Sequence, residues 1–150
     1  MNTLREEALW AVEAARHEGW IGEGDTSVLF HSWTQQKRYL DHLTTAFSHP
    51  RALHAVAIKT QPHVEILRRV VAWGYGLEAA SMEEVQLARK AGCPPERIVF
   101  DSPVKTRREI EQCQEELHGI RFNVNTLEEL HRLPSRPHFP VGIRINPMVE

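Results

Sequence analysis

From residue 53 onward, short apolar segments alternate with amphipathic helical patterns, and this alternation constrains the fold more than any other feature. Strands are predicted at 53–59, 77–81, 97–102, 120–125 and 141–147, and helices at 63–74, 82–92, 106–117 and 126–133. Strands that alternate with helices of this length form βα units, and the strands of such units run parallel in one sheet. The pattern therefore predicts an α/β fold.

The predicted strands are too few for a closed barrel of eight strands. A (βα)8 barrel typically needs about 250 residues, whereas this chain has 150. A short apolar segment near Val28 is a candidate for one further strand. We therefore predict a partial (βα)8 TIM-type barrel with parallel strands, whose remainder is absent from the chain. A complete, open α/β sheet is an alternative that the sequence leaves open.

The first third of the chain has a different pattern and predicts a helical segment. Apolar residues recur at helical spacing over residues 3–18, and a second helix is expected over 34–47 with Thr34 as its N-cap. We therefore assign residues 1–50 to an N-terminal helical segment and residues 51–150 to the first part of the barrel.

Composition and charge argue against several classes of partner. The net charge of −2 gives no basic footprint for nucleic acid, and no apolar run approaches the roughly 18–20 residues that span a bilayer. The cysteines Cys93 and Cys113 form no CxxC pair, and the histidines form no HExxH motif. We expect a cytoplasmic protein with reduced thiols, no metal, no nucleic-acid partner and no membrane partner.

Polar side chains stand at the ends of all the predicted strands. They are Lys59, Glu78, Asp101, Asn123, Asn125, Arg144 and Asn146. A single polar strand end has a plain explanation, because strand ends meet solvent. Parallel α/β proteins, however, place their chemistry at the carboxyl ends of their strands. The set as a whole therefore favours a functional edge without identifying a reaction.

Lys59 is the lysine that is best placed for covalent chemistry. Strand alternation puts Lys59 on the same face as the small residues Ala55 and Ala57, which leave room around a reactive group. A desolvated lysine can lose its proton near neutral pH and attack a carbonyl carbon to form a Schiff base. The other lysines, including Lys105, lie on predicted helices or at helix starts, where we expect solvated charges.

Several motifs together resemble the fold-type III pyridoxal-phosphate decarboxylases. They are AIKTQP, GLEAAS, PPERIVF with KTRREI after it, GIRFNV with LEEL after it, and VGIRINP, and they run from about His54 to Pro147. That family includes the diaminopimelate, ornithine and arginine decarboxylases and shares its barrel with alanine racemase. The resemblance implies a carboxy-lyase that releases CO2 from the Cα of an amino-acid substrate and works as a homodimer.

The resemblance also implies roles for individual residues. Lys59 falls at the lysine that forms the Schiff base with pyridoxal 5'-phosphate. Glu78 falls where ornithine decarboxylase-like members carry an aspartate near the cofactor, and Arg144 matches a fifth-strand arginine that faces the cofactor. Glu84 matches an acidic residue on the following helix. The sequence departs from the family where the common AVKAN reads AIKTQ.

The resemblance covers only the early part of the family's machinery. In the family, later strands supply a histidine that stacks on the pyridine ring, a glycine-rich phosphate loop and an acid for the pyridine nitrogen. A separate β domain completes the active site of the partner subunit. No such motif occurs in this chain, so we expect the 150-residue chain alone to be inactive. A noncatalytic truncated homologue that acts as a binding or dimerisation module is the alternative.

Overall fold

The computed structural model of the chain describes residues 4–145. The helices are α1 (Leu4–His17), α2 (Trp33–Ala46), α3 (Val64–Ala72), α4 (Met82–Lys90), α5 (Arg107–Glu116) and α6 (Leu127–His131). The strands are β1 (Ala55–Ala57), β2 (Gly76–Ala79), β3 (Ile98–Phe100), β4 (Arg121–Val124) and β5 (Val141–Ile143). The chain divides into two compact units, Met1–Ser48 and His49–Glu150.

All five strands belong to one parallel sheet whose spatial order equals the order along the chain. In a doubly wound sheet the strand order reverses at a switch point, and helices then cover both faces. A sequential order instead keeps the connecting helices on one face, as in successive units of a barrel. The prediction of an α/β fold with part of a parallel-stranded barrel is therefore confirmed.

Burial follows the two faces of this sheet. Leu77, Ile98 and Phe122 point to the helix-covered side and are fully buried. Val99 and Asn123 point to the opposite side, which we call the inner face, and keep part of their surface exposed. Burying each large apolar side chain contributes about 1.5–3 kcal/mol, so the core of this unit lies between the sheet and its helices.

The helix starts are fixed by local hydrogen bonds that the sequence encodes. Thr106 and Glu109 form a reciprocal capping box at the start of α5. Ser81 caps α4 by accepting a hydrogen bond from the Glu84 N–H, and Thr126 caps α6 in the same way. Each cap satisfies backbone N–H groups that have no partner within their own helix.

Several predicted boundaries in the N-terminal unit need correction. The segment around Val28 forms no strand, since it joins no ladder. Helix α2 begins at Trp33, and its cap is Ser32 rather than Thr34, because the Ser32 hydroxyl accepts the Gln35 N–H at 3.3 Å.

No helix among residues 4–145 has the length and apolar character that crossing a membrane requires.

The first strand of the sheet is shorter than predicted. It ends at Ala57, and Ile58–Thr60 form a 3-10 turn in which the Thr60 hydroxyl donates to the Ala57 carbonyl at 2.7 Å. The buried Ile58 side chain anchors this turn against the core. At the other edge of the sheet, β5 ends at Ile143, and residues 146 and 147 of the predicted strand lie outside the described range.

The expectation of a solvated charge at Lys105 is wrong. Lys105 lies in the loop between β3 and α5 with its side chain fully buried. Its ammonium group donates to the carbonyl oxygens of Ser102 and Asn123 at 2.8 and 2.6 Å and to the Glu129 carboxylate at 3.1 Å. A buried charge is tolerated only when it is paired and hydrogen-bonded. Sequence position could not show this, because two of the three acceptors, Asn123 and Glu129, lie 18 and 24 positions away along the chain.

Gly76 marks a close approach between β2 and the chain that enters β3. A Cβ atom added at Gly76 would overlap the Arg97 backbone carbonyl oxygen and would lie 3.1 Å from the Leu53 side chain. A backbone oxygen cannot rotate away as the end of a flexible side chain can. The sheet therefore accepts only glycine at this position without moving a strand.

We predict that Gly76→Ala destabilises the fold by about 1–3 kcal/mol, because the added methyl group forces strands apart in a packed core. Urea denaturation followed by circular dichroism measures this. Gly24→Ala is the control, since nothing lies within 4 Å of its added Cβ. Equal denaturation midpoints for the two variants would contradict the close approach.

Candidate functional site

Charged side chains from four strands meet at the carboxyl edge of the sheet. Lys59 lies in the turn after β1, Glu78 lies in β2, Asp101 follows β3 and Arg144 follows β5. Because the strands are parallel, their carboxyl ends share one edge. Electrostatic interactions with the Glu78 carboxyl come from all three of the others. The structure thus brings together Lys59, Glu78 and Arg144, which the sequence singled out.

Lys59 projects from the 3-10 turn rather than from the strand itself. The turn closes through a hydrogen bond from the Gln61 N–H to the Ile58 carbonyl at 2.9 Å. The Lys59 side chain is exposed, so residues 4–145 do not provide the desolvation that we expected for it. Its neighbour is the Glu78 carboxyl. The turn therefore presents a primary amine beside an acid at the edge of the sheet.

Glu78 is an acid at this edge whose surroundings shift its pKa. It pairs in register with Ala57 of β1 and Val99 of β3. Partial burial raises the pKa of its carboxyl, and the Lys59 ammonium opposes this rise. The carboxylates of Asp101 and Glu84 raise the pKa further, whereas Arg144 lowers it. The net pKa is raised, so Glu78 holds a proton more readily than an ordinary carboxyl does.

Asp101 is a member of this edge whose role sequence reasoning did not identify. Its Oδ2 atom forms an ion pair with Nη1 of Arg144 at 3.5 Å. Its Oδ1 atom is buried and accepts no hydrogen bond from residues 4–145. The signal was available in the sequence, because Asp101 follows a buried strand directly and is two residues from Val99 on the inner face. The ion pair links the exits of β3 and β5.

Backbone bonds hold the two members of this ion pair in line with the sheet. The Asp101 N–H donates to the Ala79 carbonyl at 2.9 Å, which extends the ladder past β3. The Arg144 N–H donates to the Val124 carbonyl at 2.9 Å, which extends the ladder past β5. Both side chains therefore leave from ordered backbone although each lies just outside its strand.

The remaining polar strand ends serve the fold instead of this edge. Asn123 lies on the inner face against Gly142, where an added Cβ would overlap its Oδ1 atom. The Asn125 amide donates to the Ser102 carbonyl at 2.6 Å. Asn146 lies outside the described residues. Glu84 is close enough to act on Glu78, but its carboxylate accepts the Ala80 N–H at 2.7 Å and so supports the turn before α4.

The described residues form no cluster of metal ligands, and their cysteine thiols are buried. Residues 4–145 contain no group of three or more histidine, cysteine, aspartate or glutamate side chains that could hold a metal ion. Both cysteines are buried. Burial raises the pKa of the Cys113 thiol to about 12, so this thiol stays protonated at neutral pH and is a poor nucleophile.

Comparison with known proteins identifies the family. A family model described as the pyridoxal-binding domain of pyridoxal-dependent decarboxylases matches residues 34–150. The chain belongs to the pyridoxal-dependent decarboxylase family. The diaminopimelate decarboxylase of Archaeoglobus fulgidus is 27% identical over 149 residues, which are 96% of this chain and 35% of that protein. The diaminopimelate decarboxylase of Zymomonas mobilis is 32% identical over 129 residues, 82% of this chain and 30% of that protein.

Solved structures of the family share the fold of this chain. A diaminopimelate decarboxylase from M. jannaschi superposes with a TM-score of 0.76 at 26% identity, covering 93% of this chain and 33% of that one. A diaminopimelate decarboxylase from Helicobacter pylori complexed with L-lysine superposes with a TM-score of 0.69 at 28% identity, covering 77% of this chain and 29% of that one. The chain therefore spans about a third of the length of these relatives.

The residues at the carboxyl edge fit the cofactor that this pyridoxal-dependent family implies. Pyridoxal phosphate carries an aldehyde that condenses with a primary amine, and Lys59 presents such an amine at the exposed edge. A neighbouring acid with a raised pKa and a nearby guanidinium complete a set that can exchange protons and bind anionic groups.

We predict that Glu78→Gln gains stability relative to the wild type as the pH rises. The folded pKa of Glu78 lies above its ordinary value of 4.5, so the stabilisation that the protonated Glu78 contributes is fully present below pH 4.5 and is lost as the pH rises through the folded pKa. The variant has no carboxyl to ionise. Urea midpoints measured between pH 4 and pH 7 test this.

Glu83→Gln is the matched control for this titration. Glu83 is fully exposed, and hydrogen bonds from its own backbone N–H and the Ser81 hydroxyl lower its pKa. The pH dependence of the stability difference therefore has the opposite sign to that of Glu78→Gln. The Glu83→Gln variant is expected to lose stability relative to the wild type as the pH rises. A pH-independent difference between Glu78→Gln and the wild type would show that burial does not raise the Glu78 pKa.

Proposed function

We propose that this chain is the cofactor-binding N-terminal part of a pyridoxal-phosphate-dependent amino-acid decarboxylase, in which Lys59 forms the covalent link to the cofactor. The observation that carries the proposal is the position of the Lys59 amine beside Glu78 at the carboxyl edge of the sheet. The family match over residues 34–150 supports it independently. Glu78 and Arg144 are proposed as cofactor-binding residues.

The chain's own residues have distinct tasks in this proposal. When bound, pyridoxal phosphate supplies an aldehyde for condensation and an electron-accepting ring that lets an amino acid lose CO2 from Cα. The Lys59 ammonium must first give up a proton before its nitrogen can attack a carbonyl carbon. Glu78 is suited to take up that proton, because burial makes it a stronger base than an exposed carboxylate.

Arg144 orients anionic groups in this proposal. Its guanidinium carries five N–H donors, and the ion pair with Asp101 engages one end at Nη1. The side chain is about half exposed at the edge of the sheet, so further donors can reach a carboxylate or phosphate oxygen. A guanidinium held by a carboxylate in this way binds oxyanions in a fixed direction.

We propose that the complete protein acts on an amino acid in the cytoplasm as a homodimer. The relatives are named for such substrates, and one solved relative from Helicobacter pylori is a complex with L-lysine. A second candidate is a noncatalytic binding or dimerisation module. It is favoured by the apolar surface at the sheet edge, where Ile143 and Ile145 are 68% and 80% exposed, since exposed strand edges recruit other chains.

Covalent trapping separates the two candidates. We predict that incubation with pyridoxal phosphate, followed by borohydride reduction and peptide mass spectrometry, places the adduct on Lys59. Lys59→Arg is expected to abolish the adduct because a guanidinium does not condense with the aldehyde. Lys90→Arg is the matched control, since Lys90 is exposed at the end of α4. Uniform labelling of the exposed lysines would favour the noncatalytic module.

We also predict that the purified 150-residue chain releases no measurable CO2 from diaminopimelate, ornithine, arginine or lysine. The chain spans about a third of the length of its relatives. It contains no glycine-rich phosphate loop of the family type, so it lacks groups that hold the cofactor in the family. Radiolabelled CO2 capture with saturating pyridoxal phosphate measures this. Turnover above the free-cofactor background that is lost in Lys59→Arg would show that the missing segments are dispensable.

A further inference from the structure

The buried Lys105 ammonium joins the exits of two neighbouring strands. Its three N–H donors all have acceptors, namely the carbonyl oxygens of Ser102 and Asn123 and the Glu129 carboxylate. Ser102 is the second residue after β3, whereas Asn123 lies within β4. One cation thus fixes the distance between the backbone leaving β3 and the backbone of β4.

The same connection is reinforced from helix α6. The other carboxylate oxygen of Glu129 accepts the Asn125 N–H at 2.8 Å, and the Asn125 amide donates to the Ser102 carbonyl at 2.6 Å. The Arg132 guanidinium donates to the Lys105 carbonyl at 3.0 Å. These hydrogen bonds connect Lys105, Ser102, Asn125, Glu129 and Arg132, so the exits of β3 and β4 form one polar cluster with α6.

Stability alone gives a weak reason for this cluster. Removing an ammonium and a carboxylate from water costs free energy that their attraction only partly returns, and apolar replacements are often as stable. The rings of Phe100 and Phe122 lie 5.4 and 4.9 Å from the Lys105 nitrogen, so an apolar side chain would have matching neighbours. A buried polar network of this kind is better suited to fixing one geometry than to adding stability.

The polar network around Lys105 is connected through the backbone to the candidate site. Asp101 is the residue immediately before Ser102. The backbone N–H of Arg144 donates a hydrogen bond to the Val124 carbonyl of β4. The Asp101–Arg144 ion pair therefore starts at the β3 exit that Lys105 holds against β4, and it reaches the segment after β5 that is itself bonded to β4. We propose that Lys105 is a positioning residue that sets the Asp101–Arg144 ion pair beside Glu78. Its catalytic relevance rests on the proposed function.

The Glu78 carboxyl provides the readout, because charged groups from each neighbouring exit act on it. These groups are Lys59, Asp101, Glu84 and Arg144, and among them the Asp101 carboxylate raises the Glu78 pKa. Loss of Lys105 removes one of the two donors to the Ser102 carbonyl, leaving the Asn125 amide, and also removes the link to the Asn123 carbonyl. The backbone next to Asp101 is then held less firmly, and Asp101 can move away from Glu78. The Glu78 titration should then shift toward lower pH, although Lys105 touches neither residue.

The experiment is a carbon-detected NMR titration of the Glu78 carboxyl in the full 150-residue chain without cofactor, assigned by its absence in Glu78→Gln. Asp101→Asn is expected to shift the midpoint toward lower pH. Lys105→Met combined with Glu129→Gln should give a comparable shift in the same direction. Adding Asp101→Asn to that double variant should give little further shift. Lys90→Met, which removes an exposed lysine, should leave the midpoint unchanged.

Lys105→Met alone leaves the Glu129 carboxylate buried without its cation and so can fail to fold. The double variant Lys105→Met with Glu129→Gln removes both charges and keeps the proposal testable. An unchanged Glu78 midpoint in a folded double variant would overturn the positioning role, and so would a shift that adds fully to that of Asp101→Asn. Unfolding of both Lys105 variants would also overturn it and assign Lys105 to folding. Because no cofactor is present, failure here is distinguishable from failure to trap pyridoxal phosphate on Lys59.

Discussion

The parallel hydrogen-bond ladder of β1–β5 is the constraint on which the rest of the structure depends. It keeps the strands in sequential order, so every strand delivers its carboxyl end to the same edge. It also keeps neighbouring residues of one face in register, as with Glu78 and Val99. Residues separated by up to 85 positions along the chain, such as Lys59 and Arg144, can therefore act on one carboxyl. Without that ladder the charged edge would not exist.

The charged groups at this edge differ in their exposure to water. Lys59 is exposed and Glu78 is partly buried, so the amine stays accessible while the acid binds its proton more tightly. Asp101 and Arg144 form an ion pair at 3.5 Å in which Arg144 stays about half exposed. This combination suits proton exchange at an amine and the binding of an anionic group. It also matches membership in a family of pyridoxal-dependent enzymes.

Two kinds of polar contact order the chain on the helix side of the sheet. The first is local, since residues such as Thr106 cap a helix within four positions of their partner. The second is distant, since Lys105 and Glu129 meet from 24 positions apart. Local contacts are readable from short motifs, because their spacing is fixed by helix geometry. Distant contacts are readable only when the packing of strands and helices is known.

The resemblance to the decarboxylase family implied Lys59, Glu78 and Arg144 as candidates for the site. The sequence by itself determined the α/β class and the order of strands and helices after residue 53. It could do so because strand and helix periodicities are local properties of the chain. Tertiary structure alone decided that Lys59 leaves from a turn in an exposed position and that Asp101 pairs with Arg144. It also decided that Lys105 is buried. Exposure and pairing depend on which distant groups the fold brings near, and no spacing along the chain encodes them.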